Sequence, residues 1–376
     1  MIGARPVPLS RVLDLVAETA PPPLAESWDR VGLMVGAPDW PVRRALVGLE
    51  LTADLLDRAG RLGADLILVH HPPLFRPLTA LDPSRPEAAL ALRAYDERRG
   101  VIAAHTNLDA ARGGVNDALA DLLGLTGTRA LRPASGSAWR KLAVFVPVGY
   151  EDRVFEAVVA AGAGRIGDYT GCSWRSRGEG TFRPGEMSHP FLGQGSLPQR
   201  AAEVRLEVLV PAHRLGPVTA ALIAAHPYEE PAFDLYPLEQ TGGPEGAGRV
   251  GDLSPEAALD DFVDVVKDRL GAPVIQVANA RASAIGRVAV CGGSGGDLIA
   301  NALAAGADVF VTGEAGHHAA RDLEGTDLGL LVVGHFYSER PVVPVWTKHL
   351  AAGAGRRGWS LEFVGDDDQS PAFAFR

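Results

Sequence analysis

Three short segments of the chain bring histidine together with carboxylates. ADLILVHHPP ends on the doublet His70 and His71, VIAAHTNLDAARGG holds His105 and Asp109, and in LLVVGHFYSERP Glu339 follows His335 by four residues. Imidazole and carboxylate are ligands for divalent cations, and this pair of types suits zinc, iron, manganese, cobalt or nickel without choosing among them. Adjacent imidazoles in an irregular turn can aim at two different centres, while residues i and i+4 of a helix share one face and can reach the same ion or ion pair. Taken singly, each segment has an ordinary reading: a surface histidine doublet, an Asx turn with Asp109 capping the next segment, a helix cap with an ion pair. Taken together, all three clusters follow apolar runs that read as strands, and open α/β sheets bind ligands beyond the carboxyl ends of their strands. The reading that weighs most is a metal centre of His70, His71, Asp109, His335 and Glu339, with His105 a further ligand or a partner that orients one. Five ligands are few for two separate sites, so a shared centre is expected, with Glu339 bridging because of its reach and a water between the ions. Two dications roughly 3.5–4 Å apart lower the pKa of such a water and stabilise charge on a substrate oxygen, which is hydrolytic chemistry.

The elements that must hold these residues alternate. Ala45 to Leu51 reads as a strand, Thr52 to Leu62 as a helix opened by a Thr cap, and Ala64 to Val69 as a buried strand; Pro86 to Arg99 is helical, Val101 to Ala104 a strand and Gly114 to Leu125 a helix. After residue 250, Ser254 and Pro255 are expected to open a helix with Leu259, Phe262, Val263, Val266 and Leu270 on one face; strands follow at Arg287 to Val290, Asp308 to Val311 and Leu328 to Val333. Both outer thirds therefore predict α/β halves with mainly parallel sheets. Between them, Lys141 to Val148 and Glu203 to Val210 read as strands, each followed by a helix, Asp152 to Ala161 and Gly216 to Ala225, which predicts an inserted ferredoxin-like α+β domain. The Gly-, Pro- and Ser-rich stretches 132–139 and 239–251 mark the junctions, giving expected domains 1–135, 138–242 and 246–376.

Composition narrows the classes. The chain has 376 residues, 47% of them hydrophobic, enough for two or three cores. A net charge of −10 argues against nucleic acid or an anionic membrane as partner. Cys172 and Cys291 make no CxxC pair, and no apolar run reaches about 18 residues, so a soluble cytoplasmic protein is expected. Weaker features leave alternatives. CGGSGGD (291–297) could cradle phosphate or be a tight turn; His317 and His318, near Glu314, could line the pocket or face solvent. Tyr169, Cys172, His226, Glu229 and Glu230 of the middle block are read as structural or interfacial.

WDRVGLMVG (28–36), HHP (70–72), HTNLD (105–109), CGGSGG (291–296) and GHFYSE (334–339) resemble motifs of the Nif-three-like dinuclear-metal family, whose members are often called GTP cyclohydrolase 1 type 2 homologues. GDYTGCSWRSRGEGTF (167–182) and HPYEEPAFDLYPL (226–238) resemble the insert of the longer bacterial members, which is similar to CutA or PII proteins. The resemblance places two divalent ions per subunit on His70, His71, Asp109, His335 and Glu339 and makes His105 a pocket residue. Arg30 departs from it, standing where the family usually has Asn. It further implies a toroidal homohexamer with the metal sites facing an internal cavity. The expected function is a metal-dependent hydrolase of unspecified substrate; the alternative is a non-catalytic regulatory or scaffold protein whose toroid binds a partner or effector.

Overall fold

The computed structural model describes residues 5–134, 139–166, 169–185, 187–193, 197–238, 245–279, 281 and 283–374. The chain forms two compact units, one of Met1–Ala134 with Pro244–Arg376, the other Ser135–Gly243. The junction stretches 132–139 and 239–251 lie partly outside the described residues, as do Gly167 and Asp168 of the segment 167–182.

The larger unit holds a five-stranded sheet in the order Glu362–Gly365, Arg44–Gly48, Leu66–Val69, Gly100–Ala103, Gly32–Val35; the first four are parallel and the last runs antiparallel at the edge. Strands covered on both faces need apolar residues at every position, and Leu66–Val69 and Gly100–Ala103 are buried throughout. One face packs Val47, Leu66, Leu68 and Ile102 against the helices Leu9–Thr19 and Val342–Arg356. The other packs Leu46, Ile67 and Val101 against the helices Ala53–Leu62 and Pro86–Asp96. The Thr52 cap forms as expected, its Oγ1 accepting the Leu55 N–H at 3.1 Å, and Gly63 closes the helix at φ 61°.

A second sheet has six strands in the order Gln276–Ala278, Gly329–Val332, Val309–Glu314, Ile285–Ser294, Gly246–Ala257, Thr126–Pro133. Three of its four inner strands, Gly329–Val332 to Ile285–Ser294, are parallel, but three of its five pairings are antiparallel, so this sheet is mixed rather than mainly parallel. Antiparallel neighbours need no crossover helix. The expected helix start at Ser254 and Pro255 is also corrected. Both belong to the strand Gly246–Ala257, where the register shifts between Asp252 and Ala257, and the helix begins at Leu259. Proline is tolerated in a strand at such a bulge, so Ser-Pro before an apolar period is no sure helix start.

The smaller unit is an antiparallel sheet in the order Phe233–Pro237, Trp139–Pro147, Gln199–Pro211, Ser173–Phe182, with helices Glu151–Ala160 and Leu215–Ala225 giving the β-α-β-β-α-β order of a ferredoxin-like fold. His226 is structural there: its Nε2 pairs with Phe145 O at 3.1 Å and its Nδ1 accepts the Tyr228 N–H at 3.1 Å. Among the described residues no helix is long and apolar enough to cross a membrane.

Candidate metal centre

The three His-bearing segments converge within the larger unit. His70 and His71 follow the strand Leu66–Val69 and stay tied to the neighbouring strand's extension, the His71 N–H donating to Leu49 O at 2.8 Å. His105 and the helix Thr106–Ala110 follow Gly100–Ala103; Gly334, at φ 90°, turns the chain from Gly329–Val332 into the helix His335–Glu339. Three overlapping groups place ligand atoms within 4.8 Å of one another: His70, Asp109 and Glu339; His71, His335 and Glu339; His70, His71 and His105. Each group could hold a metal ion, and Glu339 belongs to two of them.

The histidines are wired alike. His70 Nδ1 lies 2.9 Å from Ala104 O, His71 Nδ1 lies 3.2 Å from Glu50 Oε1, and His335 Nδ1 lies 3.2 Å from Glu314 Oε1. An acceptor at Nδ1 keeps the proton there and leaves the Nε2 lone pair for an ion. All three Nε2 atoms turn toward Glu339: His70 at 3.6 Å and His335 at 3.2 Å from Oε1, His71 at 3.0 Å from Oε2. His70 Nε2 is also 3.5 Å from Asp109 Oδ1. The fit to a cation rests on what these atoms lack. His70 Nε2, Asp109 Oδ1 and Glu339 Oε2 are buried without a hydrogen-bond partner, the short His71 approach to Oε2 being misaligned for one. Orphaned buried acceptors cost a few kcal/mol each, and a cation satisfies all of them at once.

Electrostatics agree with a centre built for positive charge. Burial pushes the Asp109 carboxyl up, more than the His70 imidazole pulls it down. Burial also works against ionised Glu339, but the His70, His335 and His71 imidazoles outweigh it and hold it well below the usual carboxylate range. Burial disfavours the His71 imidazolium, yet Glu339 and Glu50 push that group up to about 10. The Glu339 hydrogen bond raises His335 as well.

The segment CGGSGG serves the same centre. Cys291 to Ser294 continue the strand Ile285–Ser294, and three backbone N–H groups that a phosphate would need are already donated: Gly292 to Asn116 Oδ1 (2.9 Å), Gly293 to Ser338 Oγ (3.0 Å) and Gly295 to Thr312 Oγ1 (3.1 Å). Glycine is needed here for closeness. Gly293 has φ 64°, and a Cβ on it would stand 3.3 Å from His335 Nε2 and collide with Glu339 Oε1; a Cβ on Gly292 would meet Val115 Cγ1 at 2.5 Å. His317 and His318 start the helix His317–Arg321 and belong to none of the ligand groups.

The sequence model of the Duf34/NIF3 (NGG1p interacting factor 3) family matches residues 7–371. The chain belongs to the Duf34/NIF3 family. It is 40% identical over 324 residues to the GTP cyclohydrolase 1 type 2 homolog of Halalkalibacterium halodurans, covering 86% of this chain and 87% of that one. The Bacillus subtilis GTP cyclohydrolase 1 type 2 homolog is 37% identical over 369 residues, 98% of this chain and 99% of its own. Among solved structures, the Bacillus cereus protein related to NIF3 superposes with a TM-score of 0.88 at 34% identity, covering 99% of this chain and 100% of that one.

In this Duf34/NIF3 chain several residues that support the centre stand outside its ligand groups. Glu50 and Glu314 orient two imidazoles, Asn116 spans from Gly292 N to Asp109 O, which its Nδ2 meets at 3.0 Å, and Ser338 Oγ ties Gly293 N to His335 O. The raised imidazoles have a consequence for loading. Held up at about 10, His71 carries a proton at pH 7 in the metal-free protein, and an ion must displace it; the His335 imidazole is shifted in the same direction by Glu339. Metal affinity is therefore expected to rise with pH through the neutral range. Calorimetric titration of metal-free protein with Zn²⁺ at pH 7, in buffers of different ionisation enthalpy, should show at least one proton released per ion. Zero release would contradict imidazole ligation.

Proposed function

We propose that this Duf34/NIF3 protein is a dinuclear metal-dependent hydrolase, with His70, Asp109 and Glu339 holding one divalent ion, His71, His335 and Glu339 a second, and Glu339 shared. The observation that carries the reading is the common wiring of His70, His71 and His335, each held at Nδ1 with its Nε2 turned on one buried carboxylate. Two such ions, held by these residues, would supply Lewis-acid charge that makes a water more acidic and stabilises negative charge on a substrate oxygen. The chain's own groups do the rest. Ala104 O, Glu50 and Glu314 fix the imidazole tautomers; Gly292 and Gly293 let the strand pass against Glu339; burial of His70 and Glu339 keeps the inner side of the site dry. We extend the proposal to a toroidal homohexamer, and to the smaller unit as a CutA- or PII-like module that binds an effector or partner. The names of the curated relatives motivate testing nucleotides without fixing GTP as substrate. A panel of nucleotides, phosphoesters and amides, offered to metal-loaded protein of measured mass, should reveal turnover that Glu339→Ala lowers at least a thousandfold. Silence across the panel would favour the non-catalytic binder.

A further inference from the structure

A fourth histidine shares the wiring without an ion pair to Glu339. His105 Nδ1 lies 2.9 Å from Asp29 Oδ1, and Asp29 is itself buried and fixed by the Thr106 N–H (3.0 Å), the Thr106 hydroxyl and the Arg30 N–H (2.7 Å). Burial opposes the charge on Asp29, yet the His105 imidazole and the Thr106 hydroxyl and N–H hold its carboxyl down at about 2. The imidazole therefore keeps its proton on Nδ1, and in the neutral ring Nε2 is an acceptor. Among the described residues no ion pair joins His105 to Asp109 or Glu339, and its ligand atom lies within 4.8 Å of those of His70 and His71, at the edge of the metal centre.

Two large aromatic side chains stand beside it in the open. Trp28 is 55% and Phe75 46% exposed, which is costly for apolar surface unless something covers it. Trp28, Phe75 and His105 touch pairwise, edge to face, at 5.9, 6.2 and 6.3 Å with interplanar angles of 64°, 74° and 87°. Three steeply inclined rings make a corner with open π-faces, against which a flat ring can stack while its edge meets the neighbouring ring. The corner adjoins the metal centre through the His105 contacts with His70 and His71, at 5.2 and 5.6 Å between centroids.

We propose that Trp28, Phe75 and His105 form a subsite for a planar heteroaromatic ring bearing an N–H donor, stacked on the indole and bonded to His105 Nε2. From the hydrolase reading the inference takes only that the reacting group lies beside this ring. Nicotinamide serves as the probe, with N,N-dimethylnicotinamide lacking the donor and cyclohexanecarboxamide lacking the flat ring; binding to the full-length protein is followed by saturation-transfer NMR, with metals per chain measured on each sample. Both control compounds should bind at least tenfold more weakly than nicotinamide. Trp28→Leu should weaken nicotinamide at least tenfold with metal content unchanged, and His105→Ala should abolish the preference over the dimethyl compound. Equal binding of the three compounds would overturn the subsite, as would indifference to Trp28→Leu or a Trp28→Leu variant that changes only the oligomer mass. Loss of turnover, or of metal, with the nicotinamide pattern intact would sink the hydrolase reading alone.

Discussion

Glu339→Gln, purified beside the parent protein, is expected to fall from about two metal ions per chain to none that survive dialysis. The substitution keeps the shape of a side chain that is 3% exposed and packed against Gly293, so its effect is on charge and ligation. Two of the three groups that could hold an ion include this carboxylate, and the amide would offer one neutral oxygen where two anionic ones stand. Loss of a single orienting partner outside the ligands commonly costs 10–100-fold in affinity, and loss of a shared ligand should exceed about a hundredfold at each position. The fold should survive. Without Glu339, the desolvation that already opposes charge on His70 and His71 gains ground and favours the neutral imidazoles over buried like charges. Elemental analysis of parent, Glu339→Gln and His317→Ala proteins checks the expectation, the last as a histidine outside every ligand group. Equal metal in all three would remove the centre from this place in the chain.

What could be read from sequence divides along a physical line. His70, His71, Asp109, His335 and Glu339 were legible because their residue types are uncommon together and because each follows an apolar run whose end is marked by a proline, a turn or a glycine. The partners that aim them were not. Glu50 orients His71 because the strand Arg44–Gly48 lies beside Leu66–Val69, and Glu314 orients His335 because Val309–Glu314 lies beside Gly329–Val332. Strand order decides such pairs, and local periodicity is blind to it; an acidic residue at the end of each predicted strand was the available signal. The same blindness hid the last strand, Glu362–Gly365, which joins the sheet of the first third over 300 residues away in sequence, while Thr126–Pro133 joins the sheet of the last third. The Gly-rich segment reads from sequence as a phosphate cradle or a tight turn, and what its glycines lie against is Glu339 and Ser338.

The second large effect concerns a buried charge that no motif announces. Arg249 is 1% exposed, pairs with Asp117, and spends its remaining donors on carbonyls: Gly246 at 2.7 Å, Gly248 at 2.8 Å, Ala111 at 3.0 Å and Ala110 at 3.4 Å. The last two close the helix Thr106–Ala110, whose orphan C-terminal carbonyls a cation suits, so Arg249 anchors the element that carries Asp109. Asp117→Ala would leave the guanidinium buried beside carbonyls alone and would also strip the Gly113 N–H of its acceptor at 2.6 Å. Breaking one side of such a pair costs about 3–5 kcal/mol, far above the usual range for a substitution. Urea unfolding of the metal-free proteins should show that loss in Asp117→Ala, and adding Arg249→Met should cost less than the sum of the two single changes, since the second removes the unpaired charge created by the first. An additive pair, or a loss below about 1 kcal/mol for Asp117→Ala, would mean that the carbonyls alone hold Arg249 and that Asp109 owes its place to the Asn116 bridge instead.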